Sequence, residues 1–160
     1  MEAIDTVSSS DILKQLCGFR VGDAFFAIPV VEVQEVIRPQ KITNVPLSDP
    51  YILGLINLRG QIVTCLSLRA MFGLKDDSSE DQMNIIVKDG DSLYALVVDE
   101  ILDVIDMEEE SFENTPPTLD TKIKEYVSGV HKLESKLLIV LSLEKVFNNK
   151  GNVEIESTNS

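Results

Sequence analysis

"GDAFFAIPVVEVQEVI", Gly22 to Ile37, lies without a gap over "GDSLYALVVDEILDVI", Gly90 to Ile105. Gly22/Gly90, Asp23/Asp91, Ala27/Ala95, Glu32/Glu100, Val36/Val104 and Ile37/Ile105 are identical. Apolar residues match one another cheaply, but glycine and aspartate matching at a turn do not. A second block follows in the same order: "GLINLRGQIVTCLSLRAMF" (Gly54 to Phe72) lies over "GVHKLESKLLIVLSLEKVF" (Gly129 to Phe147), sharing Gly54/Gly129, Leu58/Leu133, Ser67/Ser142 and Phe72/Phe147 among others. The chain is therefore an internal duplication, with repeats over about 19–72 and 87–147. A repeat of this length cannot hold a large private core, so two small β-lobes packed on one another, interleaved on a shared core, are expected. The seam between them is a natural place for a groove.

The runs "QLCGFRV", "AFFAIPV", "GQIVTCL", "NIIVKDG", "SLYALVV" and "KLLIVLS" are short, β-branched or aromatic, and bounded by Gly, Asp or Pro, which predicts strands. "VGD" and "DGD" read as tight turns between them. Each repeat ends in Ser-Leu-x-x-x-Phe, so Ser67 and Ser142 are expected to cap short helices. The Pro-bearing connectors 38–53 and 106–128 are expected to be surface loops with local extended structure, and Glu108 to Glu110 a solvated face. We expect a flexible segment over 1–12, one domain over 13–147 and a flexible acidic tail over 148–160.

With 27 acidic against 14 basic side chains in 160 residues, the net charge is -13. Such a surface repels phosphate backbones and anionic lipid alike, so nucleic acid is not an expected partner. The start "MEAIDTVSSSD" lacks a basic and then apolar leader, and no run reaches the ~18 apolar residues of a membrane span. A cytoplasmic protein without direct membrane insertion is the expectation.

Parts for catalysis are few. The sole histidine, His131, stands where the other copy has Ile56, and Cys65 stands where it has Val140, both read as scaffold positions. Cys17 and Cys65 form no CxxC spacing, so neither a zinc site nor a disulfide framework follows, and no cofactor or metal is expected. The carboxylates Glu32 with Glu35 and Asp99 with Asp103 recur in both copies inside apolar patterns and read as a polar strand face. An alternative is a small-molecule-binding or hydrolytic β-barrel domain using the inter-lobe groove, with Cys65 or His131 as its reactive group. What the duplication leaves unexplained is "NLRG", which faces Lys132, Leu133, Glu134 and Ser135 in the sister copy. Gly60 suits a turn, but Arg59 offers a fork of donors to a carboxylate in this chain or on a partner.

"GLINLRGQIVTCLSLR" (Gly54 to Arg69), preceded by "VVEVQEVI" (Val30 to Ile37), resembles the bacterial chemotaxis coupling proteins of the CheW-like domain family, and the likeness runs from about Leu16 to Phe147. The resemblance implies a mainly β fold of two SH3-like five-stranded β-barrel lobes with short helices and no catalytic activity. It further implies a bridge between the cytoplasmic tips of methyl-accepting chemoreceptors and the regulatory domain of the histidine kinase CheA. Positions matching the family's receptor surface are Val33, Glu35, Gly54, Arg59 and Val104, with Glu35 and Arg59 paired. Together with Val36, Asn57 and Gly60 they form the expected partner-binding set. Thr64 and Ser67 depart from the proline and acidic residue usual in that family.

Overall fold

A computed structural model of the chain describes residues 13–45, 49–75 and 82–148. The expected N-terminal segment, nearly all of the expected tail and residues 46–48 of the first connector lie outside them. The strands are β1 Leu13–Val21, β2 Ala24–Pro29, β3 Val33–Ile37, β4 Ile52–Leu58, β5 Gln61–Ser67, β6 Met83–Asp89, β7 Ser92–Val98, β8 Glu100–Glu108, β9 Phe112–Glu113, β10 Val127–Lys132 and β11 Leu137–Leu141. Among the described residues three short α-helices accompany them, α1 Leu68–Met71, α2 Thr121–Lys124 and α3 143–148, with 3-10 turns at Val30–Glu32 and Glu109–Ser111. Each apolar run read from the sequence is a strand, and Gly22 and Gly90 take positive φ at the two predicted turns.

The strands form two sheets, ordered β8-β1-β2-β11-β10-β9 and β3-β6-β7-β5-β4. The lobes are not the repeats. Each lobe takes the opening hairpin of one repeat and the closing strands of the other, so β1 and β2 sit with β8, β10 and β11, while β6 and β7 sit with β3, β4 and β5. The same parallel pairing seals both exchanges, Ile139↔Phe26 in one lobe and Leu66↔Leu96 in the other. The two-residue strand β9 makes one sheet six-stranded where five strands were expected.

Central strands are buried on both faces, which is why they read as unbroken apolar runs. One face of β1, β2, β7 and β11 supplies Phe19, Phe26, Tyr94, Leu96, Ile139 and Leu141 to a core shared by the lobes. The opposite faces, joined by β5 and β6 in one lobe, fill two private cores: Leu16, Ala27, Leu138 and Val140 in the six-stranded lobe, and Val63, Cys65, Ile86 and Ala95 in the five-stranded one. Both recurrent serines cap as expected, Ser67 Oγ accepting from Ala70 N–H at 3.1 Å and Ser142 Oγ from Lys145 N–H at 3.3 Å. The Phe after each cap reaches across the seam: Phe72 stacks on Phe26 at 4.8 Å, and Phe147 packs on Tyr94 at 5.1 Å. Replacing Ser67 or Ser142 by alanine is expected to cost about 1 kcal/mol, read from the urea midpoint.

The connector 106–128 is more ordered than its composition suggested. Strand β8 extends to Glu108, α2 starts at an Asp120 cap, and Ile123 and Tyr126 are buried in the shared core. Their apolar side chains are too widely spaced among charged residues to make a period. Glu108, Glu109 and Glu110 are exposed, as expected.

Candidate functional site

Leu58 pairs with Gln61 across the β4–β5 hairpin, leaving Arg59 and Gly60 as a two-residue turn with φ of 52° and 88°. Positive φ at both central positions is the type I′ geometry that suits strand twist. Glycine takes it freely, whereas arginine is strained there by about 1–2 kcal/mol. Arg59 is the only non-glycine residue with positive φ among the described residues, and the sister turn at Glu134 and Ser135 has none. Asn57 stabilises this turn by accepting from Gly60 N–H at 2.9 Å through its Oδ1.

From the turn the Arg59 guanidinium reaches Glu35 on β3. Strands β3 and β4 are the two edges of the same sheet, so this ion pair helps bring those edges together. A second tie is the backbone bridge between Thr43 and Leu55, with N–H to O distances of 2.8 and 2.9 Å. The pair is largely solvent-exposed, Arg59 at 68% of its side-chain surface, and exposed pairs contribute about 0–1 kcal/mol. Stability therefore does not account for a strained arginine.

Gly54, in β4, is buried with φ of 150° and lies under Ile42 and Thr43. It permits the close approach that lets Thr43 bridge Leu55, so packing accounts for it. Gly129 does the same beneath Phe112 and Glu113, where β9 lies against β10. On β3, Val33 is half-buried against the shared core and Val36 is 38% exposed. Val104 is 57% exposed on β8, the edge strand of the other sheet. The structure thus gathers Glu35, Asn57, Arg59 and Gly60, sets Val33 and Val36 on the same strand as Glu35, and puts Val104 in the other lobe.

Two features escaped the sequence reading. Asp99, the single residue between β7 and β8, has only 7% of its side chain exposed. It accepts from Arg69 Nε at 3.2 Å and Nη2 at 2.7 Å, and from Gly22 N–H at 2.7 Å. Burial alone would push this carboxyl up, but the donors from Arg69, Gly22 and Gln82 together hold it below the ordinary aspartate range. Asp99 within an apolar pattern was visible; its partner on α1 was not.

The second feature is a groove of about 500 Å³ in the six-stranded lobe, where His131 is 3% exposed. Ser111 Oγ donates its hydrogen to Glu108 O at 2.8 Å, so His131 Nδ1, 3.0 Å from that oxygen, is the donor to it. Burial holds the imidazole below its ordinary pKa, against an opposing contact with the Ser111 backbone. Cys65 is fully buried and its thiol is pushed up to about 11 by desolvation, the reverse of an activated nucleophile. Among the described residues no group of His, Cys, Asp and Glu could hold a metal ion, and no helix is long and apolar enough to cross a membrane.

A family model described as CheW-like domain matches residues 15–151. Chemotaxis protein CheW of Helicobacter pylori is 30% identical over 133 residues, covering 82% of this chain and 80% of that protein. The Bacillus subtilis protein of the same name is 31% identical over 134 residues, covering 83% and 86%. Protein PilI of Pseudomonas aeruginosa is 27% identical over 123 residues, covering 76% and 69%. The crystal structure of scaffolding protein TtCheW from Thermoanaerobacter tengcongensis superposes with a TM-score of 0.74 at 32% identity, over 82% of this chain and 90% of that one.

Proposed function

The chain belongs to the CheW-like domain family, and from that membership we propose that it is a non-catalytic scaffold of chemotaxis signalling, coupling methyl-accepting chemoreceptor tips to the regulatory domain of the histidine kinase CheA. Its place is the cytoplasm, beside membrane receptor arrays, held there by its partners. The observation that carries this reading is Arg59, strained on a turn that its sister copy builds without strain and paired with Glu35 for little gain in stability. Val33, Val36 and Val104 supply apolar contact, and Asn57 with Gly60 fixes the angle at which the guanidinium is offered. Gly54 supports that surface from below. Contacts of this size bind weakly one at a time and gain strength in an array. The hydrolytic alternative lacks support, because Cys65 is sealed in a private core.

The test separates turn from guanidinium. Asparagine tolerates positive φ, so Arg59→Asn keeps the turn and removes only the charged fork. The variant is expected to unfold at an equal or higher urea concentration while co-sedimentation with a receptor tip fragment and the kinase regulatory domain weakens about tenfold or more. Undiminished ternary assembly by this variant would sink the proposal.

A further inference from the structure

Asn84 is 4% exposed, yet its Oδ1 has no hydrogen-bond partner. Such orphans are rare, because an unmet buried acceptor costs its full desolvation. The sister copy shows what the scaffold asks for at this place. Continuing the gapless match from Gly22/Gly90 toward the N-terminus sets Leu16 over Asn84. The ladders agree: Leu16 lies opposite Pro29 and Ile105, and Asn84 opposite their counterparts Val97 and Ile37. Leu16 fills one private core, whereas Asn84 sets an amide at the end of the other, beside Ile37 and Val97.

The segment that follows the ladder differs as well. Beyond Ile105, β8 stays paired with β1 as far as Glu108, and Met107 packs on its private core. Beyond Ile37, β3 stops: the counterpart of Met107 is Pro39, which has no N–H for a ladder, and residues 38–41 are exposed. Residues 38–43 therefore run as a strap from the end of β3 to β4. The Thr43–Leu55 bridge ties one end of it. At the other end Asn84 Nδ2 donates to Arg38 O at 3.4 Å, longer than an ordinary bond of this kind. Between the two ties, Ile42 rests half-buried on the private core.

We propose that strap 38–43 is a latch on the five-stranded lobe, which lifts locally ahead of the rest of the fold and wets the Asn84 carbonyl as it does so. The strap joins β3, with Val33, Glu35 and Val36, to β4, with Gly54 and Asn57. Lifting it loosens the two sheet edges across which Arg59 meets Glu35. A partner seated on both edges holds the strap shut. That holding step rests on the coupling function proposed above; the local opening does not.

Amide hydrogen exchange, followed by NMR on the full chain at low urea concentrations, tests the latch. Thr43 and Leu55, whose N–H groups close the bridge, are expected to exchange at least about a hundredfold faster than Val130 and Ile139 of the matching hairpin, with almost no dependence on urea. Asn84→Leu, which installs the residue of the sister lobe, should slow Thr43 and Leu55 by about tenfold or more, because closure then leaves no acceptor unmet. Binding of a receptor tip fragment and the kinase regulatory domain should slow the same two amides in the wild-type chain by about tenfold. Exchange of all four amides at one urea-dependent rate would overturn the latch, and the wild-type chain alone decides this. Unaltered or faster exchange of Thr43 in Asn84→Leu would overturn it equally. Partners that bind without slowing Thr43 overturn the holding step. Partners that do not bind at all strike the coupling function, and the first two measurements still decide the latch.

Discussion

Gly54→Ala is expected to cost roughly 3 kcal/mol or more of folding stability, a large part of the ~5–15 kcal/mol that holds a domain together. A methyl group there would meet Ile42 Cγ2 at 2.6 Å and the Thr43 carbonyl oxygen closer still. The oxygen belongs to the backbone bridge with Leu55 and cannot swing aside without breaking it. The φ of 150° adds strain for any residue with a Cβ. Gly60→Ala is the control, since nothing lies within 4 Å of its added methyl and only the φ of 88° opposes it, at about 1 kcal/mol. Urea unfolding of both variants decides the matter: a Gly54→Ala protein no less stable than Gly60→Ala would show that the lobe closes without this contact. The comparison also bears on binding. A Gly54 variant that loses its partners reports an opened lobe, whereas an Arg59 variant reports a lost contact.

Asp99→Asn is expected to lower stability by about 3 kcal/mol at neutral pH, because it removes the buried negative charge that accepts from the Arg69 guanidinium and the Gly22 N–H. Arg69 has 16% of its side chain exposed, so water screens the loss only in part. The pH dependence follows from the direction of the shift. The folded-state carboxyl titrates below the unfolded value of about 3.9, so its contribution is complete above that value and fades as pH falls through the folded pKa. The wild-type stability curve should therefore fall more steeply than that of Asp99→Asn below about pH 4, and the two should converge in acid. Parallel curves from pH 7 down to the acid transition would mean that Asp99 is not the charged clasp at this junction.

Much of the architecture is local and can be read along the chain. The glycines of "VGD" and "DGD" are required by turns with positive φ, and Ser67 and Ser142 by orphan helix donors. The recurrence of Phe72 and Phe147 reflects matching seats in the shared core. Arg59 stood out for a sound reason, since subtracting the sister copy removes what the scaffold needs. Its pairing with Glu35 came from the family resemblance, because two residues 24 apart on opposite sheet edges share no period. Tyr126 was lost in an acidic connector, although its ring packs 6.0 Å from Phe72 in the aromatic chain of the core.

By itself the sequence determined that the chain is a duplicated, strand-rich protein with capped helices, two tight hairpins and one anomalous arginine. Only the tertiary structure decided which strands the interleaved repeats exchange, that Arg69 meets Asp99 at the crossover, and that Glu144 and His131 share a groove. The physical reason lies in the runs themselves. "KLLIVLS" and "SLYALVV" are apolar on both faces, so their pattern specifies burial but not a neighbour. Which strand lies beside which is settled by contacts far apart in sequence, such as Ile139 on Phe26 and Leu66 on Leu96, whose energy exists only once both lobes are closed.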